Sequence, residues 1–233
     1  KCICTQLDKS SADAFLFTSQ PNIIWATGVR ADDGFVVATK KKIYLIVDKR
    51  SFSYIKKNIN KKISLVEFQS VDSIKQVINA NKIKKLIIEN DYLTFKQFDM
   101  YVKPLKVQTI KFDTKQLRIV KCDEEIKYLQ KAAEIAVKAI EQTRKWLFTD
   151  ISELETKEYI HNYMIKHGAS DMSFDLIVAF GKNTANPHHV AGEDRLHINE
   201  LVTLDIGCVY KNYCSDITRT FFVGRKQPNA IKE

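Results

Sequence analysis

No apolar run in this chain approaches the roughly 18 residues that a membrane-spanning helix needs, so no bilayer partner is expected. The opening Lys1-Cys2-Ile3-Cys4 has neither the apolar stretch nor the small-residue cleavage site of a secretory leader. It also lacks an initiating Met, so the sequence is expected to begin inside a longer gene product, in the cytoplasm. C-x-x-C pairs are missing too. The five cysteines (Cys2, Cys4, Cys122, Cys208 and Cys214) are odd in number and unpaired in spacing, which argues against structural zinc or a disulfide framework. Buried or partly buried free thiols in a reducing compartment are expected instead. Acidic residues are in deficit, 28 against 37 basic, for a net charge of +9. The lysines are scattered in short groups such as Lys40-Lys41-Lys42, Lys56-Lys57 and Lys84-Lys85 rather than massed on one segment. A solvated basic surface is expected, and no nucleic-acid partner. No internal repeat and no low-complexity tract interrupts the chain.

What is present is ordinary globular composition, 45% apolar and 28% charged, over 233 residues, enough for one large domain or two medium ones. The fold class expected is mixed α/β. Ala14–Thr18, Ile23–Thr27, Phe35–Ala38 and Ile43–Val47 read as strands, rich in β-branched and aromatic residues. A helix over Ser51–Ile59, a strand over Ile63–Phe68, a helix over Val71–Asn79, a strand over Lys85–Glu89, a helix over Phe95–Val102 and a strand over Val107–Phe112 follow. The pattern predicts a small mixed-sheet domain over residues 1–118 with helices on its faces.

From Cys122 the period changes. The run Asp123-Glu124-Glu125 suits a helix start, and Ile126, Leu129, Ala133, Ala136, Ile140 and Leu147 predict one apolar helical face. Ser152 with Glu155 three residues on predicts a capped second helix that ends at His167-Gly168. Strands over Phe174–Phe180, Leu201–Tyr210 and Tyr213–Val223 close the second predicted domain, 119–233, with the last two forming a hairpin about a Lys211-Asn212 turn.

The chemistry concentrates in that hairpin. Asp205 interrupts an apolar strand, where an unpaired carboxylate in a core would cost several kcal/mol. A hairpin turning near Lys211 would set Asp216 almost opposite Asp205. Two carboxylates so close repel unless a cation sits between them or one keeps its proton, and hard divalent ions are the usual solution. The local alternative stays open: Asp216 could pair with Arg219.

Thr203-Leu-Asp205-Ile-Gly207 followed by Asp216-Ile-Thr218-Arg219-Thr220, with ten residues between Asp205 and Asp216, resembles the metallopeptidases of the pita-bread fold, among them methionine aminopeptidase, aminopeptidase P and prolidase. Ser173-Phe174-Asp175 through Gly181, followed by Asn186-Pro187-His188-His189, resembles that family's strand-plus-loop segment, and Lys121–Ala136 its opening helix. Ala12–Thr18 followed by Asn22-Ile-Ile-Trp25-Ala-Thr27-Gly28 resembles the creatinase-type amino-terminal domain carried by aminopeptidase P, prolidase and creatinase.

The resemblance implies Asp205 and Asp216 as the first two ligands of two divalent metal ions, manganese with cobalt or zinc as options. It implies His188 as the catalytic and substrate-contacting histidine, with His189 as a possible alternative, and Phe174 near the substrate. His161, His167 and His197 match nothing and are expected on the surface or at a cap. The activity implied is metal-dependent cleavage of the Xaa-Pro bond in peptides with proline second, of aminopeptidase P type rather than dipeptidase, in a homodimer. A further His and two Glu complete the family's ligand set, and no residue after Gly224 supplies them. The expectation is therefore a first part of the catalytic domain; the alternative is a non-catalytic peptide- or protein-binding relative of the same fold.

Overall fold

Alternating apolar residues bounded by tight turns build a six-stranded mixed sheet in the first half of the chain. The computed structural model describes residues 2–224; the Cys2 thiol and residues 225–233, the end of the second predicted domain, lie outside the described part. The chain divides between Val120 and Lys121 into two compact units.

In the first unit α1 (Cys2–Lys9) leads into β1 (Ala14–Phe17), followed by α2 (Gln20–Thr27), β2 (Phe35–Thr39), β3 (Ile43–Val47), α3 (Lys49–Asn58), β4 (Ile63–Glu67), α4 (Val71–Ala80), β5 (Lys85–Glu89), the short α5 (Phe95–Gln97) and β6 (Gln108–Phe112). The strand order is β4-β3-β2-β1-β5-β6, antiparallel at β3-β2 and β2-β1 and parallel elsewhere. Both faces are covered. Phe15, Phe17, Leu45 and Ile87 pack one core, while Leu16, Ile46, Ile74 and Leu86 pack the other. Each such fully buried side chain contributes about 1.5–3 kcal/mol of transfer free energy.

Two expectations fail here. Ile23–Thr27 is helix, not strand: Ser19 is its N-cap, Pro21 fits its first turn, and Gly28 ends it at φ 73° with its N–H on Ile24 O. Phe95–Val102 is no regular α-helix. Its capped first turn passes into a π-helical turn over Phe98–Val102, followed by a 3-10 turn that contains Pro104.

Glu89, at the end of β5, has no solvent exposure. Its carboxylate accepts from the Thr18 and Ser19 N–H groups, from both hydroxyls and from Asn22 Nδ2, so it anchors the start of α2. Glu89→Gln puts an amide N–H against donors that have nowhere else to go. We expect a loss of about 2 kcal/mol in urea unfolding monitored on this unit; a change within about 0.5 kcal/mol would refute the anchoring role.

The second unit begins with α6 (Asp123–Trp146) and α7 (Glu153–Lys166). The buried face of α6 is Ala132, Ile135, Ala136, Ala139, Ile140 and Thr143, whereas Ile126 is exposed, so the face is turned relative to the one the sequence predicts. Then come β7 (Asp171–Met172), β8 (Ile177–Phe180), β9 (Glu200–Ile206), β10 (Cys208–Tyr210), β11 (Tyr213–Cys214) and β12 (Ile217–Val223). They form two short antiparallel sheets, β12-β9-β8 and β11-β10-β7, because the long hairpin breaks at Gly207 on one strand and at Ser215-Asp216 on the other. Val202, Leu204 and Ile206 face the helices in a core with Ile135, Ile160 and Met164.

Four described thiols are unpaired: Cys208 is buried and Cys4 partly so, while Cys122 and Cys214 are exposed rather than buried. No helix among the described residues is long and apolar enough to cross a membrane.

Candidate active site

The hairpin turns at Lys211-Asn212, both in the left-handed region at φ 51° and 69°, the pair of conformations a two-residue type I′ turn requires. That turn fixes the register: Tyr210 pairs Tyr213, Val209 pairs Cys214, and beyond the break Asp205 pairs Thr218. Asp216 therefore falls across from Gly207, and the two aspartates are diagonal neighbours, not opposite ones. Diagonal residues share one face of the ladder, with Cα atoms about 7–8 Å apart in a regular pair.

Burial departs from expectation as well. Along β9 the even-numbered residues from Val202 to Ile206 fill the core, so Asp205 points to the other face and is only half-buried. Asp216 is exposed. The desolvation argument for Asp205 does not hold, but an argument from partners takes its place. Asp205 Oδ1 accepts from Thr218 Oγ1 at 2.7 Å, and Thr203 and Thr220 hydroxyls meet at 2.9 Å one pair along the same face. Asp205 has no basic partner within ion-pair distance among the described residues, and Asp216 has none either. Arg219 turns away, donating to the Thr218 carbonyl at 2.7 Å, so the proposed Asp216–Arg219 pair does not form.

Two carboxylates at one strand junction, with free acceptor oxygens and no basic partner within ion-pair distance among the described residues, are a donor set that suits a hard divalent ion. Among the described residues no group of three or more His, Cys, Asp or Glu could hold a metal.

Phe174 is not in a strand. Four residues, Ser173–Leu176, stand between the β7 and β8 pairings against only Ile206 and Gly207 on the partner strand, so the segment bulges. Ser173 N–H donates to Gly207 O at 3.1 Å and Ser173 Oγ to Ser215 O at 2.7 Å, which pins the bulge to both strands of the hairpin. The Phe174 ring lies over Gly207 and lines a groove of about 470 Å3 with Leu154, His161, Met172 and Leu176. Phe174 and the two aspartates thus cluster around Gly207.

His188 is exposed, on the loop that leaves the far end of β8; its N–H is held by Asn186 Oδ1 at 3.0 Å, and its imidazole makes no hydrogen bond among the described residues. His189 is different. Its Nε2 lies 2.6 Å from Oε2 of Glu153, a fully buried carboxylate with no signal in the local sequence to single it out. Next to it, Glu155 closes the reciprocal cap with Ser152, and the Ser152 N–H holds its carboxyl below the usual range. His167 caps α7 with Nδ1 2.7 Å from Tyr163 O, while His161 and His197 are exposed.

The model of the creatinase/prolidase N-terminal domain matches residues 3–120, which is 118 of 233, and that of metallopeptidase family M24 matches residues 127–233. A putative Xaa-Pro aminopeptidase of Mycoplasma pneumoniae is 35% identical over 225 residues, covering 97% of this chain and 63% of its own length. This chain therefore spans less than two thirds of that relative. Among solved structures, an Xaa-Pro dipeptidase from Bacillus anthracis superposes with a TM-score of 0.88 at 31% identity, covering 99% of this chain and 66% of that one. An X-Pro aminopeptidase from Thermotoga maritima gives 0.86 at 26% identity, covering 97% and 67%. The chain belongs to the M24 metallopeptidase family, in the branch that carries the creatinase/prolidase N-terminal domain.

Proposed function

We propose that the full gene product is a metal-dependent exopeptidase that cleaves the Xaa-Pro bond of peptides, of aminopeptidase type. The observation that carries this reading is the pair Asp205 and Asp216, on facing strands of one hairpin and without a basic partner among the described residues. The name of the Mycoplasma relative favours aminopeptidase over dipeptidase.

Asp205 and Asp216 would hold part of a pair of divalent ions, manganese in our reading, with cobalt or zinc as substitutes. When bound, such ions supply Lewis acidity and a water of lowered pKa. Thr218 orients the Asp205 carboxylate by occupying Oδ1, so that Oδ2 is left for the ions. His188, whose imidazole makes no hydrogen bond among the described residues, donates a hydrogen bond to the oxygen that becomes negative as the peptide carbonyl is attacked. Phe174 forms an apolar wall for the substrate side chain. A homodimer working in the cytoplasm completes the reading; the unpaired thiols suit a reducing compartment.

The test uses the full gene product, stripped of metal and reloaded with manganese, cobalt or zinc, on Ala-Pro-Ala and Ala-Pro. Metal-dependent release of alanine from the tripeptide is expected. Cleavage of the dipeptide alone would replace aminopeptidase by dipeptidase, and no cleavage with any of the three metals would overturn the reading. His188→Ala should lower kcat about 100-fold, the usual cost of one oxyanion donor, while metal content by mass spectrometry stays at the wild-type value. Loss of metal in that variant would instead make His188 part of the metal site.

A further inference from the structure

Glu153 is the first residue of α7 and its side chain is shielded from solvent, yet nothing in the chemistry above uses it. It is surrounded by donors that all come from one stretch of chain. Oε1 accepts from the Phe180 N–H and from Asn183 Nδ2, both at 2.9 Å. Oε2 lies 2.6 Å from His189 Nε2 and accepts from the Gly192 N–H at 3.1 Å. The backbone repeats the embrace: the Glu153 N–H donates to Asp194 O and the Leu154 N–H to Gly192 O, both at 3.0 Å. Asn183 Nδ2 also reaches Asp194 Oδ2 at 2.8 Å.

The segment from 180 to 194 is thus threaded over the α7 amino terminus, where orphan N–H groups and the helix dipole favour a carboxylate and its partners. The result selects between neighbouring histidines. His189 is drawn inward to Glu153, with its side chain 15% exposed, and His188, one residue earlier, is exposed with no ring hydrogen bond among the described residues.

We propose that Glu153 is a positioning residue for the active site: by gripping Phe180, Asn183, His189 and Gly192 it fixes the loop and presents His188 rather than His189 to the substrate. The catalytic part of this inference rests on the function proposed above; the tether itself does not.

The experiment is a double-mutant cycle in the full gene product, loaded with the metal that gives activity, combined with amide hydrogen exchange. Glu153→Gln keeps the shape but offers two donors where the loop needs acceptors. Exchange at the Phe180 and Gly192 amides should quicken at least about 10-fold, while Val202 and Leu204 in β9 keep their wild-type rates. On Ala-Pro-Ala, kcat should fall about 30-fold, the scale of a sub-ångström to 1 Å misplacement, with KM and metal content unchanged. In a His188→Ala background the same substitution should cost less than about 3-fold, because the residue being positioned is gone.

A glutamate that only stabilises the fold would cost the same factor in both backgrounds, and that result would overturn the proposal. So would unchanged exchange at Phe180 and Gly192. If Glu153→Gln does not fold, Asn183→Ala removes one arm of the grip and is read through the same cycle. Should the wild type cleave no Xaa-Pro bond, the functional reading fails, and the exchange arm still decides whether Glu153 holds the loop.

Discussion

Asp205→Asn should abolish metal-dependent peptidase activity in the full gene product while leaving the fold intact. Asparagine is isosteric, and its Oδ1 can still accept from Thr218 Oγ1, the one hydrogen bond this side chain makes among the described residues. Asp205 lies on the half-exposed face of β9, outside the Val202, Leu204 and Ile206 layer, so the substitution opens no cavity. The stability change should stay below about 0.5 kcal/mol, as for surface substitutions away from packed features. The lost quantity is charge. An amide binds a divalent ion far more weakly than a carboxylate does, and Asp216 alone cannot compensate. Because losing a group that only supports a metal ligand already costs about 10–100-fold in metal affinity, we expect loss of the ligand itself to cost at least 100-fold. The loss in kcat/KM should be on the order of 1000-fold, equivalent to about 4 kcal/mol of transition-state stabilisation. Metal content after dialysis, kcat/KM on Ala-Pro-Ala and a thermal melt measured together decide the matter. Full activity with wild-type metal would remove Asp205 from the site. A collapsed melting temperature would make the carboxylate a structural group.

The residues around Asp205 show which parts of such a site local sequence can encode. The hairpin, its Lys211-Asn212 turn and the Ser152–Glu155 cap were legible because each depends on residues within a few positions of one another. The orientation of Asp205 was not. A run from Leu201 to Tyr210 reads as continuous apolar strand, and only the pairing with β8 and β12 shows that alternate residues leave the core. The register was displaced for a related reason: counting outward from the Lys211-Asn212 loop itself puts Thr218, not Asp216, opposite Asp205. Along α6, alanines are equally apolar on paper at 132 and 133, and contact with the sheet selects Ala132. Helix α2 hides behind β-branched residues, and its Ser19, Pro21 and Gly28 signals outweigh them once Glu89, about 70 residues away, ties down its first turn. Glu153 is the extreme case. In sequence it is one more acid in a helix's first turn, and its burial exists only because the 180–194 segment returns to cover it.

Gly207→Ala tests the other half of the site, the steric arrangement that brings Phe174 and the two aspartates together. A methyl group at position 207 would fall within 3.0 Å of three atoms at once: the Ser215 carbonyl oxygen, Ser173 Oγ and Phe174 Cε1. A long flexible side chain could move aside, but the Ser215 oxygen is backbone and is held by the Ser173 hydroxyl at 2.7 Å. Ser173 in turn is fixed by its own N–H on Gly207 O. Relief requires the β9–β10 junction to separate from Ser215-Asp216, which sacrifices those bonds and shifts Asp216 relative to Asp205. Overpacking of this kind costs about 3 kcal/mol or more when backbone must yield. For a unit of this size that corresponds to a melting temperature lowered by roughly 12 °C or more. Gly192→Ala is the matched control, since an added Cβ there meets nothing within 4 Å and the N–H to Glu153 survives. Its melting temperature should stay within about 3 °C of wild type, the scale of a sub-kcal/mol change. If Gly207→Ala melts with the control and keeps its metal, the close contact at the strand break is not what sets the spacing of the two carboxylates. If it melts early and binds metal weakly even at low temperature, the missing side chain at position 207 is a condition of the site as much as the aspartates are.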